Sequence, residues 1–503
     1  MTDLDRPSPI GSARAVGWSV LLALLVFAGS LGNGFAYDDE PIIERNPVVT
    51  EGRWDEAAFG PYWQVEEDFG LLYRPVALLA YTAQWALGGG RPAVFHLVNV
   101  LLHALATGLV AWLVLRLARM RPQTALLNRW PGVAALVAGG FFALHPVHVE
   151  AVANGVGQGE LWAALGVLGA VHLYIWSPGR IWQRALRIAG IGGCYAVGLG
   201  AKEIAVTLPF LLLLVDGVGR GWVAATARIR RESMVFLLLL AVLVAYLALR
   251  WVTLGSFIGE QAVSVFDGVP TSARIATALS VVPTALLLLV APFRLSADYD
   301  PDVLGLAAPS DPGVVLGAGL LIGIVALVVG FWRRSPLVGY GAAWFLVVWS
   351  VVSNLPFATG VMLAERTLYL PSVGVAMMVG VGAAAIAEAR GVRTALLAAL
   401  VLGTAFGARS ATRVPVWFST FTVLENLAEE RPESWRSDRT RAAGLIRVGE
   451  TAEALRYFES AVEKMPRRYD LLLEYGAELR NAGRFDEAAE LFARSVDVSP
   501  RRR

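Results

Sequence analysis

Lysine is nearly missing from this chain. Among 503 residues only Lys202 and Lys464 are lysines, and arginine carries the remaining basic charge. Histidine occurs five times and cysteine once, as Cys194, so no disulfide can form within the chain. Charged residues make up only 17% of the sequence against 56% hydrophobic ones. The formal net charge of +2 leaves no broad basic footprint, and no nucleic-acid partner is expected. A mean hydropathy of +0.56 excludes an ordinary water-soluble fold. The arginine bias suits a GC-rich, bacterial genome.

Long apolar runs, by contrast, are plentiful. A bilayer is crossed by roughly 20 apolar helical residues, and runs of about that length fall near 15–33, 93–118, 131–145, 160–176, 185–200, 204–216, 233–255, 313–332, 336–355, 367–388 and 393–410. The expected fold is therefore all-α and polytopic, with about 11 transmembrane helices. The N-terminus reads as a signal anchor, since no small-residue cleavage site precedes the acidic cluster at 38–40. Arginines in short loops mark the cytoplasmic side. Arg6 and Arg14 put the N-terminus inside. Clusters at Arg116, Arg119, Arg121 and Arg129, at Arg180, Arg184 and Arg187, at Arg220, Arg228, Arg230 and Arg231, at Arg333 and Arg334, and at Arg390 and Arg393 then alternate correctly. Two apolar segments, 73–89 and 273–293, would invert that pattern if they crossed. Both read as helices at the outer surface or dipping partway in, with a crossing by 273–293 left open.

With this topology the polar stretches gather outside: Asp38 and Asp39, "HPVHVEAVANGVGQGE" (145–160), "AKE" (201–203), "SADYDPD" (296–302) and "AERTLYLPS" (364–372). Ionised groups beside hydrocarbon are costly to desolvate, so such a cluster needs free water or a task. Paired carboxylates at Asp38 and Asp39 raise each other's pKa and suit one of them to general-base work. A solvated acidic loop that merely sets topology explains the pair equally well.

Within the second span His96, Asn99 and His103 share one helical face, as interhelical packing or as a cavity lining. His145, His148 and Glu150 are metal-ligand types, but no further ligand stands at suitable spacing. Binding polar substrate atoms, or bracing the acidic pair, is the preferred reading, and no metal site is assigned. Lys202 beside Glu203, and Arg366 beside Glu365, could snorkel at the boundary or clamp a phosphate. The clamp is favoured.

Beyond residue 435 the chain turns polar. Gly449 and Gly483, Ala454 and Ala488, Phe458 and Phe492, and Pro466 and Pro500 each lie 34 residues apart, the tetratricopeptide period. The expected division is 1–414 for the membrane domain, 415–434 for a linker helix and 435–503 for two such repeats. Repeats of this type hold peptides or proteins.

Six stretches, in order, carry a resemblance: "YDDEPIIERNPVV", "YRPVALLAYTAQWALGGGRPAVFHLVNVLLHAL", "FALHPVHVEAVANGVGQGELWAAL", "AKEIAVTLP", "LSADYDPD" and "SNLPFATGVMLAERTLYLPSVG". The chain resembles the transmembrane and tetratricopeptide-repeat-containing O-mannosyltransferases of the GT-C glycosyltransferase superfamily, over nearly its whole length. It departs from the animal members in having about two repeats instead of a long array. The resemblance implies a GT-C fold with an outer-face site and a polyprenyl- or dolichyl-phosphate sugar as donor. Asp38 or Asp39 would deprotonate the acceptor hydroxyl, and Arg366 with Lys202 would hold the lipid phosphate. His145, His148 and Glu150 would line the substrate pocket, to which Glu160, Glu203, Glu365, Arg74 and His96 are added.

The expected protein is thus an inverting glycosyltransferase of a bacterial inner membrane, with its N-terminus cytoplasmic and its site and C-terminus periplasmic. It would move a sugar, mannose by family, to a protein hydroxyl, the repeats binding the acceptor. A GT-C enzyme acting on a lipid or glycan is one alternative. A non-catalytic membrane scaffold built on the repeats is another. A transporter fits less well, because polar residues mass at the outer boundary and not at midplane.

Overall fold

Apolar residues run around whole helices in this protein, and the lengths of those helices follow from the membrane they must cross. The computed structural model describes residues 10–63, 72–120, 125–220, 222–257, 265–266 and 268–498. Arg6, Arg121, Pro500 and the side chain of Arg220 lie outside what is described. Among the described residues seven helices are long and apolar enough to span: Ser12–Gly32, Pro92–Met120, Ser233–Leu254, Thr271–Val290, Pro312–Arg334, Ser372–Arg390 and Val392–Phe418. A bent pair, Pro131–Leu144 with Pro146–Val152, makes an eighth if taken as one span. The chain is an all-α multi-pass membrane protein.

The described helices fall short of the eleven spans expected. Four of the expected runs form helices of another kind. Gln158–Ile175 carries Gln158, Glu160 and His172, and Ile181–Ala201 carries Arg184 and Arg187. Leu208–Arg220 and Pro336–Ser350 have 13 and 15 residues, short of the roughly 30 Å core at about 1.5 Å per residue. The run at 131–145 bends by 50° at its end. Pro146 cannot continue the helix, and it pushes His145 into extended backbone (φ −70°, ψ 124°).

Burial separates the centre from the rim. For Pro92–Met120, 67% of the apolar window is buried inside the protein, against 6% for Pro312–Arg334, which therefore faces lipid. Thr271–Val290 has the length to cross and packs against Pro312–Arg334, itself long enough to span. Arg274 donates to the Asn354 and Leu355 carbonyls, Thr277 Oγ1 accepts from Ala307 N at 2.9 Å, and the Leu289 carbonyl accepts from His145 Nε2 at 2.9 Å. Where it meets Pro312–Arg334, a Cβ on Gly317 would fall 1.8 Å from the Leu279 carbonyl oxygen, so only glycine admits the approach.

The polar C-terminal region forms two consecutive helix hairpins, Trp435–Arg447 with Thr451–Lys464 and Tyr469–Asn481 with Phe485–Val498. Gly449 and Gly483 turn the two hairpins with φ of +83° and +79°, a conformation glycine adopts without strain. Ala454, Phe458, Leu471, Leu472, Ala488 and Leu491 fill a core separate from that of the membrane helices.

Candidate active site

At one end of the bundle, opposite the arginine-bearing loops, the breaks between helices enclose a cavity of about 420 Å³. Several of the polar wall residues sit at helix ends or breaks. Arg74 precedes Pro75, and the residue before proline is kept out of the helical region. Lys202 is extended (φ −160°, ψ 142°) between Ile181–Ala201 and the turn that begins at Glu203. Glu150 lies on the bent half of the broken span, Glu160 in the first turn of Gln158–Ile175, and Arg366 in a short turn before Ser372–Arg390. Asp38 follows the first span.

Carboxylates and cations alternate along the wall. Asp38 Oδ2 stands 3.9 Å from Arg366 Nη2. Arg366 also donates through its backbone N–H to Glu150 Oε2 at 2.8 Å and pairs with Glu150 through its guanidinium. Lys202 pairs with Glu160, whose other oxygen, Oε2, is buried and has no hydrogen-bond partner among the described residues. Glu203 accepts from Arg74 at 2.9 Å and from Arg250 at 3.2 Å. A further part of the wall comes from elsewhere in the chain. Arg436 of the first hairpin reaches Asp298 and Asp300 at 2.6 and 2.5 Å, and Arg468 of the second also lines the cavity.

Electrostatics order these groups. Burial pushes the Asp38 carboxyl above its ordinary range; Arg366 pulls it back, Glu150 pushes it further up and Arg436 lowers it. Burial lowers the Lys202 ammonium, and Arg74 and Arg366 press on it with like charge while Glu160 supports it. Burial disfavours the Glu203 carboxylate too, yet Arg74 and Arg250 outweigh it and hold the group at about 2. Arg366 thus acts electrostatically on both Asp38 and Lys202.

Seven of the residues singled out from sequence line this cavity: Asp38, Arg74, Glu150, Glu160, Lys202, Glu203 and Arg366. Five are not brought to it. Asp39 is fully buried and accepts three backbone N–H groups, from Ala36 at 3.2 Å, Gly155 at 3.0 Å and Val156 at 2.7 Å. Burial raises its carboxyl to about 7 against the lowering effect of those bonds. His145 gives Nε2–H to Leu289 O and accepts from Val147 N, while His148 bonds Phe142 O and Ser372 Oγ. Their ring nitrogens are already engaged in packing. His96 donates to Gly34 O at 3.0 Å. Glu365 is buried against Ser296 N and Tyr299 OH; burial raises it to about 7 although Arg413 opposes. Among the described residues no group of three His, Cys, Asp or Glu side chains is gathered as a metal site.

Sequence reasoning missed Arg250, Arg436 and Arg468. An arginine inside an apolar span was the available signal for Arg250. Nothing local marked the two hairpin arginines, which reach the cavity only through tertiary packing. Asp298 and Asp300 stood in a stretch noted as acidic and outer, without a role.

No protein-family model matches the chain. It is similar to the protein O-mannosyl-transferase Tmtc2 of Drosophila melanogaster, 33% identical over 293 residues, covering 56% of this chain and 30% of that protein. Against the mouse protein O-mannosyl-transferase TMTC2 it is 33% identical over 200 residues, 38% of this chain and 22% of the relative. Human protein O-mannosyl-transferase TMTC4 is 27% identical over 510 residues, covering 91% of this chain and 68% of that one. The chain thus spans less than a third of the length of the first two relatives. All three are animal proteins, and they lend no support to the bacterial source expected from the arginine bias. The solved structure of ArnT from Cupriavidus metallidurans, bound to undecaprenyl phosphate, aligns over 84% of this chain and 80% of its own at 16% identity, with a TM-score of 0.37. A likeness that loose carries no argument about the site.

Proposed function

We propose that this protein is a membrane glycosyltransferase that moves a sugar from a polyprenyl-phosphate carrier to an acceptor hydroxyl. The observation that carries the reading is that Asp38, with Arg366 3.9 Å away, shares one cavity wall with Lys202 and Arg74. Direct displacement at a sugar carbon needs a base on one side and a holder for the departing phosphate on the other. Asp38 accepts the proton of the acceptor hydroxyl as that oxygen forms its bond to the anomeric carbon. The bond from that carbon to the phosphate oxygen breaks, and its electron pair leaves with the phosphate. Lys202 and Arg74, with Arg366 at the near edge, neutralise the charge that develops there. One displacement of this kind inverts the anomeric centre.

Asp39 serves as an anchor for the loop, and Asp38 is the base. Mannose and a protein acceptor are supported by the names of the relatives alone. The two hairpins match the 34-residue tetratricopeptide pattern and suit acceptor binding. With the arginine-bearing loops cytoplasmic, the cavity and hairpins face away from the cytoplasm.

The test is transfer of label from a radiolabelled polyprenyl-phosphate mannose in membranes carrying the wild-type chain or Asp38→Asn. Loss of transfer in the variant at equal protein level supports the reading. Equal transfer in both removes Asp38 as base, and no transfer by either removes this donor.

A further inference from the structure

The loop that carries Asp38 is held by the end of the last span and the residues just after it. Gly34 N donates to Phe418 O at 2.9 Å, and Asn33 Nδ2 to Val414 O at 3.2 Å. Three residues further toward the cavity, Tyr37 N donates to Thr420 Oγ1 at 2.8 Å. The same Thr420 hydroxyl donates to the Glu40 carboxylate. A single side chain thus grips the loop on both sides of Asp38.

The grip falls where the backbone needs it. Tyr37 has φ +55°, in the left-handed region that a bulky side chain seldom adopts. Such a conformation persists only where its surroundings over-determine it. Beyond the reversal the two carboxylates part: Asp39 turns inward to the Gly155 and Val156 N–H groups, and Asp38 is left in the cavity wall. Thr420 has no competing duty at its own helix start. Ser419 and Thr422 cap Thr420–Glu430 reciprocally, with Ser419 Oγ accepting from Thr422 N and Thr422 Oγ1 accepting from Ser419 N.

We infer that Thr420 is a positioning residue for transfer: by bridging the Tyr37 N–H and the Glu40 carboxylate it fixes the left-handed turn that aims Asp38 into the cavity. This rests on the reading of Asp38 as base. The region beyond the membrane is then part of the reaction site, and the acceptor-binding role given to the hairpins does not exhaust what that region does.

The test compares full-length wild type, Thr420→Val and Thr420→Ser in membranes, with radiolabelled polyprenyl-phosphate mannose as donor and amide hydrogen exchange of residues 36–42 as a second readout. Valine keeps the shape and removes both bonds. The expected result is a kcat about 10- to 100-fold lower for Thr420→Val at a donor KM within about twofold, with Thr420→Ser restoring most of it. Faster exchange at 36–42 in the valine variant alone accompanies it. An unchanged kcat, or a loss confined to KM, overturns the inference, as does a fall in kcat that serine fails to rescue. If Thr420→Val does not accumulate, Thr420→Ala removes the same two bonds without placing a methyl group against the turn. If the wild type transfers nothing, the enzymatic reading fails and positioning for transfer falls with it. The exchange data then decide separately whether Thr420 holds the turn.

Discussion

Asp38 and Arg366 face each other at 3.9 Å, whereas Asp39, the next residue, is turned away into three backbone N–H groups. Adjacent carboxylates that look equivalent in sequence therefore do different work. Asp38→Asn removes the proposed proton acceptor and is expected to lower transfer by about 10²- to 10⁴-fold with little change in folding. Asp39→Ala leaves three buried N–H groups without their acceptor, so it is expected to lose stability by about 1–3 kcal/mol or more. Transfer per folded molecule, measured beside a detergent-solubilised melting curve, separates the two.

Charge around Asp38 fixes the sign of its pH response. With Asp38 as the proposed base its ionised form is the active one, and burial already raises its pKa, so the acid limb of transfer is expected above the ordinary carboxylate range. Arg366 lowers that pKa, and Arg366→Gln should move the acid limb to higher pH. Glu150 raises it, and Glu150→Gln should move the limb to lower pH, the more so because it frees Arg366 to turn toward Asp38. A pH profile of kcat/KM for the three proteins checks both signs. Shifts in the same direction would contradict the arrangement.

Lys202 is paired with Glu160 and feels the like charges of Arg74 and Arg366. Arg74 and Arg366 are themselves paired with Glu203 and Glu150, so a phosphate placed there shares three cations with those carboxylates and draws on Lys202 as its added point charge. Lys202→Met is therefore expected to weaken donor binding by about tenfold or more, read as a raised KM for the polyprenyl-phosphate donor. Lys202→Arg should recover part of the loss, because it keeps the charge and changes only its shape.

Legibility in the sequence followed range. Helices were readable because apolarity over some 20 residues is a local signal, and the two hairpins because their period is 34 residues. What local pattern could not supply was the count of true spans. Proline at 146 breaks one run, and Glu160, Arg184 and Arg187 make others too polar. At the site, residues at helix ends beside a proline or an extended break were legible: Arg74, Glu150, Lys202 and Arg366. His145 and His148, placed in the pocket by resemblance, lie outside the cavity lining; a histidine buried against carbonyls and a hydroxyl has the same letters as one that binds a ligand. Arg436 was out of reach, since its partners Asp298 and Asp300 are more than a hundred residues away.

That long-range contact makes the last prediction. Arg436 is held between Asp298 and Asp300, Ser434 Oγ donates to Asp298 at 2.7 Å, and Trp435 N donates to Asp302 at 2.7 Å. Trp435 itself is buried with the guanidinium carbons of Arg436 and Arg468 at 4.7 and 5.1 Å from its ring. Arg436→Met leaves two buried carboxylates facing each other without a counter-charge, which costs about 3–5 kcal/mol for a broken buried pair. The membrane helices and the hairpin core are separate, so that cost should fall on the docking between them. Limited proteolysis is expected to cut the 430–436 junction of Arg436→Met far faster than that of wild type, with each part resisting further digestion. Removing the opposing charges as well, in Asp298→Asn/Asp300→Asn/Arg436→Met, should restore part of the resistance, because no uncompensated charge then remains. Wild-type cutting of Arg436→Met would mean that the hairpins are held by apolar contacts, with the ion pairs incidental.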